Sequence, residues 1–407
     1  MQYTKKFYLL LLACLVSILT ILLFSNEYHF TIFDHQRIVV SHNQSAILSS
    51  SSSNATVSSS STSLTTPRPA PSSTPSTTTT LKSSTLKSTT SKPTSSTNAS
   101  SSQRTPSASG NRTKNLYIEF MGRFGNVVFE FAAAYSMTLA ANINKMFFKD
   151  NGQSHRLKQY FPKLKNLINI VPNFPPGIST VNELAPNKFH TKTLQEILAA
   201  PKDVHLHGYL GVPSYWWPKY DKNMTNVLEI SEAFQNRARK YLLDLAAGKN
   251  VSLESRKDSL KPGASRKLPD NVPVLVGIQV RRGDKVHSGD GWVVPQKSYF
   301  TKAMAFFRTK YKNLYFIVVS EDKKWAKENI VGKDVILSTS NEDLHELTLL
   351  TLCDHTIMSV GTFSWWAAYL AGGDAVYYQN HTRPKTMASG FFNDTQYFLS
   401  HWKPLTN

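Results

Sequence analysis

The chain has 407 residues, and its 41% hydrophobic and 11% aromatic content is enough to bury a core, which excludes wholesale disorder. Two cysteines exclude a disulfide-stapled secreted scaffold and any zinc or iron–sulfur site made of thiolates alone. A formal net charge of +19 indicates an anionic binding partner, and the candidates are nucleic acid, a membrane surface and an anionic small substrate.

An apolar segment near the N-terminus indicates the compartment. Residues 7–24 are uncharged and rich in Leu and Ile, and they follow Lys5 and Lys6. A run of this length is just enough to cross a bilayer as a helix, and the lysines favour a cytoplasmic N-terminus. A cleavable signal peptide is the alternative, although no small-x-small cleavage site follows. We predict a cytoplasmic tail at 1–6, a signal-anchor helix at 7–24, and a single-pass type II protein with a lumenal body.

A stem follows at residues 25–113, rich in Ser and Thr with interspersed Pro. Such a segment buries too little apolar surface to offset chain entropy, so we expect it to be extended and O-glycosylated. Sequons of the form Asn-x-Ser/Thr lie only on the C-terminal side of the apolar run, as a lumenal location requires. They begin at Asn43, Asn54, Asn98, Asn111, Asn223, Asn250, Asn380 and Asn393.

The body alternates between predicted strands and helices in two series, separated by a basic stretch. The first series has strands at 116–120 and 146–148, a glycine turn at 121–126, helices at 127–141 and 231–245, and a strand and turn at 207–211. The second has strands at 274–280, 314–319, 356–360 and 375–378, with helices at 299–311, 342–352 and 364–370.

This alternation predicts the α/β class, with two Rossmann-like domains at 114–270 and 271–407 that face a cleft. Residues 252–270 between the two series are basic and loop-like, and we predict that they form an exposed connection. In such sheets ligands bind beyond the carboxyl ends of the strands.

The first candidate site is the end of the strand at 274–280, where Arg281, Arg282, Gly283 and Asp284 follow the apolar run. Guanidinium groups present a rigid, permanently charged fork that binds phosphate in a bidentate manner. Because side chains alternate along a strand, we expect one arginine to face the cleft and the other to brace the loop through an acid such as Asp284. A surface arginine pair and a chance Arg-Gly-Asp adhesion tripeptide are the alternatives.

The second candidate site is the glycine turn and helix at 361–370. Free amides at the helix start, with the hydroxyls of Thr362 and Ser364, would form an anion-binding terminus. An ordinary helix cap by either residue is the alternative. The chain contains no Asp-x-Asp sequence to hold a divalent ion on a diphosphate, so arginine and the helix dipole would neutralise it, and we expect no metal.

Four segments resemble the galactoside α-1,2-fucosyltransferases over residues 116–378, in the family's order. They read MGRFGNVVFEFAAAYSMTLA, VGIQVRRGDKV, SEDKKWAKENI and CDHTIMSVGTFSWWAAYLAGGDAVYY, and the last is the most specific. The resemblance implies a GT-B type fold and inverting, metal-independent transfer of L-fucose from GDP-fucose to the 2-hydroxyl of galactose-terminated glycans on glycoproteins or glycolipids. It also implies a Golgi membrane location, in an animal and here an invertebrate. Nucleic acid is excluded as a partner because a lumenal body does not meet it.

The resemblance also assigns residues to the GDP-fucose donor. Arg281 and Arg282 match the family's diarginine, which holds the diphosphate. The glycine loop across the cleft corresponds to Gly122, Arg123, Gly125 and Asn126, and the loop closing over the donor to Gly361, Thr362, Phe363 and Ser364. One departure is Gln279, which stands where the family usually has a histidine and cannot titrate near neutrality.

The catalytic candidates are Arg281 and a general base. Arg281 would stabilise the charge that develops on the departing β-phosphate, and the base would take the proton of the acceptor hydroxyl. We expect Asp284 or Glu130 to be that base, with Asp290 and His355 behind them, although each could instead be structural. Two other functions stay open: a fucosyltransferase with a different acceptor, and an inactive, mucin-like, membrane-tethered adhesion protein.

Overall fold

The computed structural model describes residues 114–141, 143–263 and 268–407. The predicted tail, signal anchor and stem lie outside these ranges, as do Asn43, Asn54, Asn98 and Asn111. The described residues belong to one compact unit. Within them, no helix has both the length and the apolar character that crossing a membrane requires.

The first half of the body is a parallel sheet of five strands in the order β3-β2-β1-β5-β4. The strands are β1 (Lys114–Ile118), β2 (Ile143–Lys149), β3 (Ile168–Val171), β4 (Ser179–Asn182) and β5 (Val204–His207). The helices of this half are α1 (Phe124–Ala140), α2 (Gly152–Tyr160), α3 (Thr191–Ala199), α4 (Asp221–Val227) and α5 (Glu232–Ala247). Parallel strands need crossover connections, which most of these helices supply.

The second half is a parallel sheet of six strands in the order β11-β10-β9-β6-β7-β8. Its strands are β6 (Val274–Val280), β7 (Leu314–Ser320), β8 (Val335–Leu337), β9 (His355–Ile357), β10 (Ala375–Tyr378) and β11 (Lys403–Leu405). Its helices are α6 (Lys297–Lys310), α7 (Lys323–Asn329), α8 (Asp343–Thr351), α9 (Thr362–Ala371), α10 (Met387–Phe391) and α11 (Asp394–Tyr397). Every residue of β6 is buried, as expected for a central strand covered on both faces.

Helices α1 and α9 join the two halves through aromatic packing. The ring of Phe129 in α1 lies 4.8 Å from the rings of both Trp365 and Trp366 in α9, measured between centroids. Trp216 stacks on Trp366 at 5.9 Å. All four side chains are buried, so the small residues of the Ala-rich helix α1 let the two layers approach closely.

The predicted α/β class, with two Rossmann-like sheets, is confirmed, and the predicted helices and strands occur with small shifts at their ends. The largest shifts are three residues. They occur at α1, which begins early and includes half of the predicted glycine turn, at β2 and β5, which also begin early, and at β9, which ends early. The boundary that we place at residue 270 stays a prediction.

The prediction of an exposed connection at 252–270 is wrong for Arg256. This side chain is fully buried, and its guanidinium donates to both oxygens of Asp354 at 2.7 and 2.8 Å. It also donates to the carbonyl of Pro273, and Asp354 accepts from the amide of Leu275 at 2.8 Å. A buried ion pair therefore fastens this connection to the start of β6, because leaving either charge unpaired would be costly.

Candidate functional site

A cleft of about 750 Å³ opens where the carboxyl ends of the two sheets face each other. The first sheet contributes the loops after β1, β4 and β5, with residues 122–126, 186–187 and 209–211. The second contributes the ends of β6 and β7 and the segments after β8, β9 and β10. Strand ends are where parallel α/β sheets bind ligands, so this cleft is the candidate site.

The N-termini of α1 and α9 meet at the centre of this cleft. The Thr362 hydroxyl donates to the Asn126 side chain at 2.7 Å, and the Trp366 indole donates to the carbonyl of Gly125 at 2.9 Å. A Cβ on Gly125 would lie 2.7 Å from the Thr362 hydroxyl oxygen and 2.9 Å from the amide nitrogen of Phe363. Only glycine fits there, because these distances are shorter than ordinary van der Waals contact.

Neither helix start is capped by a side chain. The N-cap residues, Arg123 and Gly361, make no side-chain hydrogen bond to the first turn. The Ser364 hydroxyl donates to the carbonyl of Gly361 at 3.3 Å, and Thr362 is occupied with Asn126, so the ordinary-cap alternative is wrong. The first amides of both helices, each at the positive end of a helix dipole, stay free to bind an anion.

Arg281 and Arg282 point in different directions. Arg281 lines the cleft, binds Asp284 through its guanidinium and lies 3.5 Å from a carboxylate oxygen of Glu321. Arg282 lies away from the cleft lining, with its guanidinium 4.2 Å above the ring of Trp325 and 3.3 Å from Asp322. As expected, one arginine faces the cleft and the other is held by an acid, but that acid is Asp322 instead of Asp284. This placement also keeps Arg282 from being displayed in an adhesion tripeptide.

The other donor-site candidates lie around the same space. Gly122, Arg123, Gly125, Asn126, Gly361, Thr362 and Phe363 line the cleft, whereas Ser364 is buried behind it. Gly122 has a φ of +72°, which glycine adopts at little cost. Asp284 also lines the cleft, where it lies 3.8 Å from Arg123.

Two candidates for the general base lie behind the cleft. Glu130 is fully buried in α1, and both of its carboxylate oxygens accept from the amide of Met121. Burial raises its pKa well above the usual range. His355 accepts the amide proton of Asp374 at 3.0 Å and stacks on Tyr311. Glu130 therefore holds the glycine loop in place and His355 supports β9, so neither geometry supports contact with the reacting atoms.

Two carboxylates beside the cleft, Glu183 and Glu346, were missed by sequence reasoning, whereas Gln279 was noted only as a departure from the family. Glu183 accepts from the amide of Leu210 at 2.8 Å, and burial raises its pKa to about 7. Glu346 lines the cleft and binds Lys323, and burial raises its pKa to about 7. Gln279 lines the cleft too, and the Oε1 atom of this buried side chain has no hydrogen-bond partner. A buried amide oxygen without a partner is unfavourable, which makes it a candidate acceptor for a ligand.

Metal ligands are not grouped in the described part of the chain: no three His, Cys, Asp or Glu side chains there are arranged to hold an ion. The described sequons at Asn223, Asn250, Asn380 and Asn393 all lie on the exposed surface, where a glycan has room. Their occupancy stays a prediction.

Comparison with known proteins identifies the second half of the body. Residues 258–405 match the family model of glycosyl transferase family 11. We refer to this matched range as the family 11 domain. The family 11 domain contains Arg281, Gln279 and the uncapped start of α9, whereas the glycine loop at 122–126 lies before the matched range.

Relatives of this chain carry the family name given by the resemblance, which is thereby confirmed, whereas the invertebrate origin stays a prediction. Galactoside alpha-(1,2)-fucosyltransferase 2 of Rattus norvegicus is 40% identical over 136 residues, covering 31% of this chain and 38% of that protein. Galactoside alpha-(1,2)-fucosyltransferase 1 of the same organism is 41% identical over 135 residues, covering 31% of this chain and 36% of that protein. The match thus spans less than two fifths of each relative.

Among solved structures, the chain is similar to one of the fucosyltransferase NodZ from Bradyrhizobium. It aligns with a TM-score of 0.38 and 10% identity, covering 63% of this chain and 92% of that one. The assignment of a GT-B type fold rests on this chain's own features: two parallel sheets whose carboxyl ends share one cleft.

Proposed function

We propose that this protein transfers L-fucose from GDP-fucose to the 2-hydroxyl of a terminal galactoside, with inversion and without a metal. The observation that carries the proposal is the meeting of Arg281 with two uncapped helix starts in the cleft of a chain with a family 11 domain. A guanidinium and two helix dipoles supply the positive field that a nucleoside diphosphate needs.

The orientation that we propose for GDP-fucose in the cleft has three parts. Its diphosphate lies between Arg281 and the first amides of α9. Guanine lies on the β7 and α8 side, where Gln279 and Glu346 offer acceptor oxygens to the N–H groups of the base. Fucose then lies toward the segment that follows β10.

The chemistry follows from this placement. The acceptor oxygen attacks the anomeric carbon of fucose from the face opposite GDP, and the bond from that carbon to the β-phosphate oxygen breaks. The proton of the acceptor hydroxyl goes to a carboxylate of the cleft lining, Asp284 or Asp290. Its electron pair leaves with GDP, where Arg281 and the amides of α9 stabilise the added negative charge. Because these groups are already in position, little reorganisation is required during the reaction.

The proposed location is the Golgi membrane, with a type II anchor and a lumenal body. The Ser/Thr-rich stem and the apolar run at 7–24 support it.

The test is transfer by the full-length protein in detergent, supplied with labelled GDP-fucose and lactose. The product should be released by a fucosidase specific for the α-1,2 linkage. A parallel panel of peptide Ser/Thr acceptors and other sugars separates this activity from a fucosyltransferase with a different acceptor. Label in that panel but none on galactosides would contradict the proposal.

A further inference from the structure

Five carboxylates line the cleft, and in four of them at least one oxygen is engaged by a neighbouring group. Asp284 binds Arg281, Glu321 accepts from the amide of Arg282, Asp343 binds Arg156 and Glu346 binds Lys323. The fifth is Asp290, whose carboxylate oxygens make no hydrogen bond or ion pair within the described residues. Among the described residues, it is therefore the lining carboxylate with both oxygens free to accept from a ligand.

The backbone of Asp290 is fixed, although it lies in a loop. Its carbonyl accepts from the amide of Ala388 at 2.9 Å, and the next carbonyl, that of Gly291, accepts from the amide of Arg383 at 2.8 Å. Gly291 has a φ of +97°, and a Cβ there would lie 2.0 Å from the Thr386 hydroxyl oxygen. The loop is thus seated directly on the segment that follows β10, in a conformation that requires glycine.

Trp292 adds an aromatic surface next to this carboxylate. Its partly exposed indole lines the cleft, with Phe392 at 5.2 Å edge to face and the Lys285 amine 4.9 Å from the ring. Met387, Phe391 and Phe392 line the cleft beside it. A few placed polar groups on an apolar, aromatic lining are typical of small-ligand sites. A pyranose fits such a lining because its C–H face packs on a ring while its hydroxyls donate to a carboxylate.

The strand order places this surface at one end of the cleft. Arg281 follows β6, Gly361 follows β9 and residues 381–392 follow β10. On the other side of β6, Ser320 ends β7 and Glu321 follows it. With the diphosphate at Arg281 and guanine on the β7 side, the Asp290 end faces the sugar that receives fucose. We infer that Asp290 and Trp292 form the acceptor subsite: Trp292 packs on the pyranose of a galactoside, and Asp290 accepts from its hydroxyls. This inference rests on the proposed function.

The test measures equilibrium binding, which does not depend on turnover. Full-length protein saturated with GDP is titrated with lactose in a calorimeter, and the Kd for GDP is measured separately. We expect Asp290→Ala and Trp292→Ala each to weaken lactose binding by about 10-fold or more, the loss of a charge-assisted hydrogen bond or a buried aromatic contact. The Kd for GDP should be unchanged. Trp292→Phe should recover part of the affinity, and the exposed Asp258→Asn serves as the matched control.

Wild-type affinity for lactose in both alanine variants would overturn the subsite, as would a loss of GDP binding as large as the loss of lactose binding. A wild-type protein that binds lactose through these residues but transfers no fucose would contradict the proposed function while leaving the galactoside subsite intact.

Discussion

The hydroxyl of Thr362 donates a hydrogen bond of 2.7 Å to the side chain of Asn126, across 236 residues of sequence. It joins the first turn of α9 to the first turn of α1, and so fixes two uncapped helix starts against each other. The two halves of the chain therefore bring two helix N-termini together, an arrangement that neither half builds alone.

Gly125 is the residue at which this junction should be most sensitive. Gly125→Ala places a methyl group against Thr362 and the backbone of Phe363, so we expect a loss of about 1–3 kcal/mol in the free energy of unfolding and a larger loss of GDP affinity. Gly152→Ala, where a Cβ meets nothing within 4 Å, is the matched control. Chemical denaturation and calorimetry measure the two effects; equal stability and GDP affinity in both variants would contradict the close approach.

Substitution of Arg281 should mainly reduce activity, whereas substitution of Arg282 should mainly reduce stability. Arg281→Ala removes the guanidinium that faces the cleft, so we expect transfer to fall by at least about 100-fold with the thermal midpoint little changed. Arg282→Ala removes the contact with Trp325, so it should lower stability by about 1 kcal/mol and affect GDP binding less. Transfer rates and melting curves of both variants check this; near-normal transfer in Arg281→Ala would sink the donor-site assignment.

Removing one partner of the buried Arg256–Asp354 pair should be strongly destabilising. Arg256→Met leaves the Asp354 carboxylate buried without its partner, so we expect a loss of about 3–5 kcal/mol in the free energy of unfolding. Arg308 makes a bidentate pair with Asp334 of similar geometry at a more exposed position, so Arg308→Met should cost only about 0–1 kcal/mol. Urea unfolding distinguishes the two, and similar losses would argue against the buried pair.

Stability should fall as pH rises because of Glu183. Burial raises the pKa of this carboxyl to about 7 in the folded protein, above its ordinary value of 4.5, so between these values the folded state holds a proton that the unfolded state has released. The stabilisation is complete below pH 4.5 and is lost as pH rises through 7. Glu183→Gln should therefore lose less stability than wild type between pH 5 and pH 8. Melting curves at both values test this, with the exposed Glu196→Gln as control; equal slopes would contradict it.

The sequence predicted those elements whose pattern is local. The apolar run of β6 and the glycine that precedes α9 are visible without any partner, and the strand end at Arg281 follows from them. Burial of Arg256 depends on Asp354, which lies 98 residues away in the sequence. The basic composition of residues 252–270 alone therefore predicted an exposed segment. Short strands such as β8 and β11 have three residues each and carry too little pattern to be recognised.

The site was predictable in its donor half and less so elsewhere. Motifs indicated Arg281 and both glycine loops, and the structure brings them together. The free carboxylate of Asp290 was a minor candidate, because only the pairing of the other acids distinguishes it. The contact of Glu130 could not be predicted, since its helix position gives no sign that the amide of Met121 donates to both of its oxygens.

The proposed function is tested most directly by analysing the product that full-length protein forms from labelled GDP-fucose and lactose, with Arg281→Ala as the matched variant. We expect wild type to form a fucosylated lactose that is cleaved by a fucosidase specific for the α-1,2 linkage. We expect Arg281→Ala not to form this product. Absence of galactoside product from wild type that binds GDP, or equal product from Arg281→Ala, would contradict it.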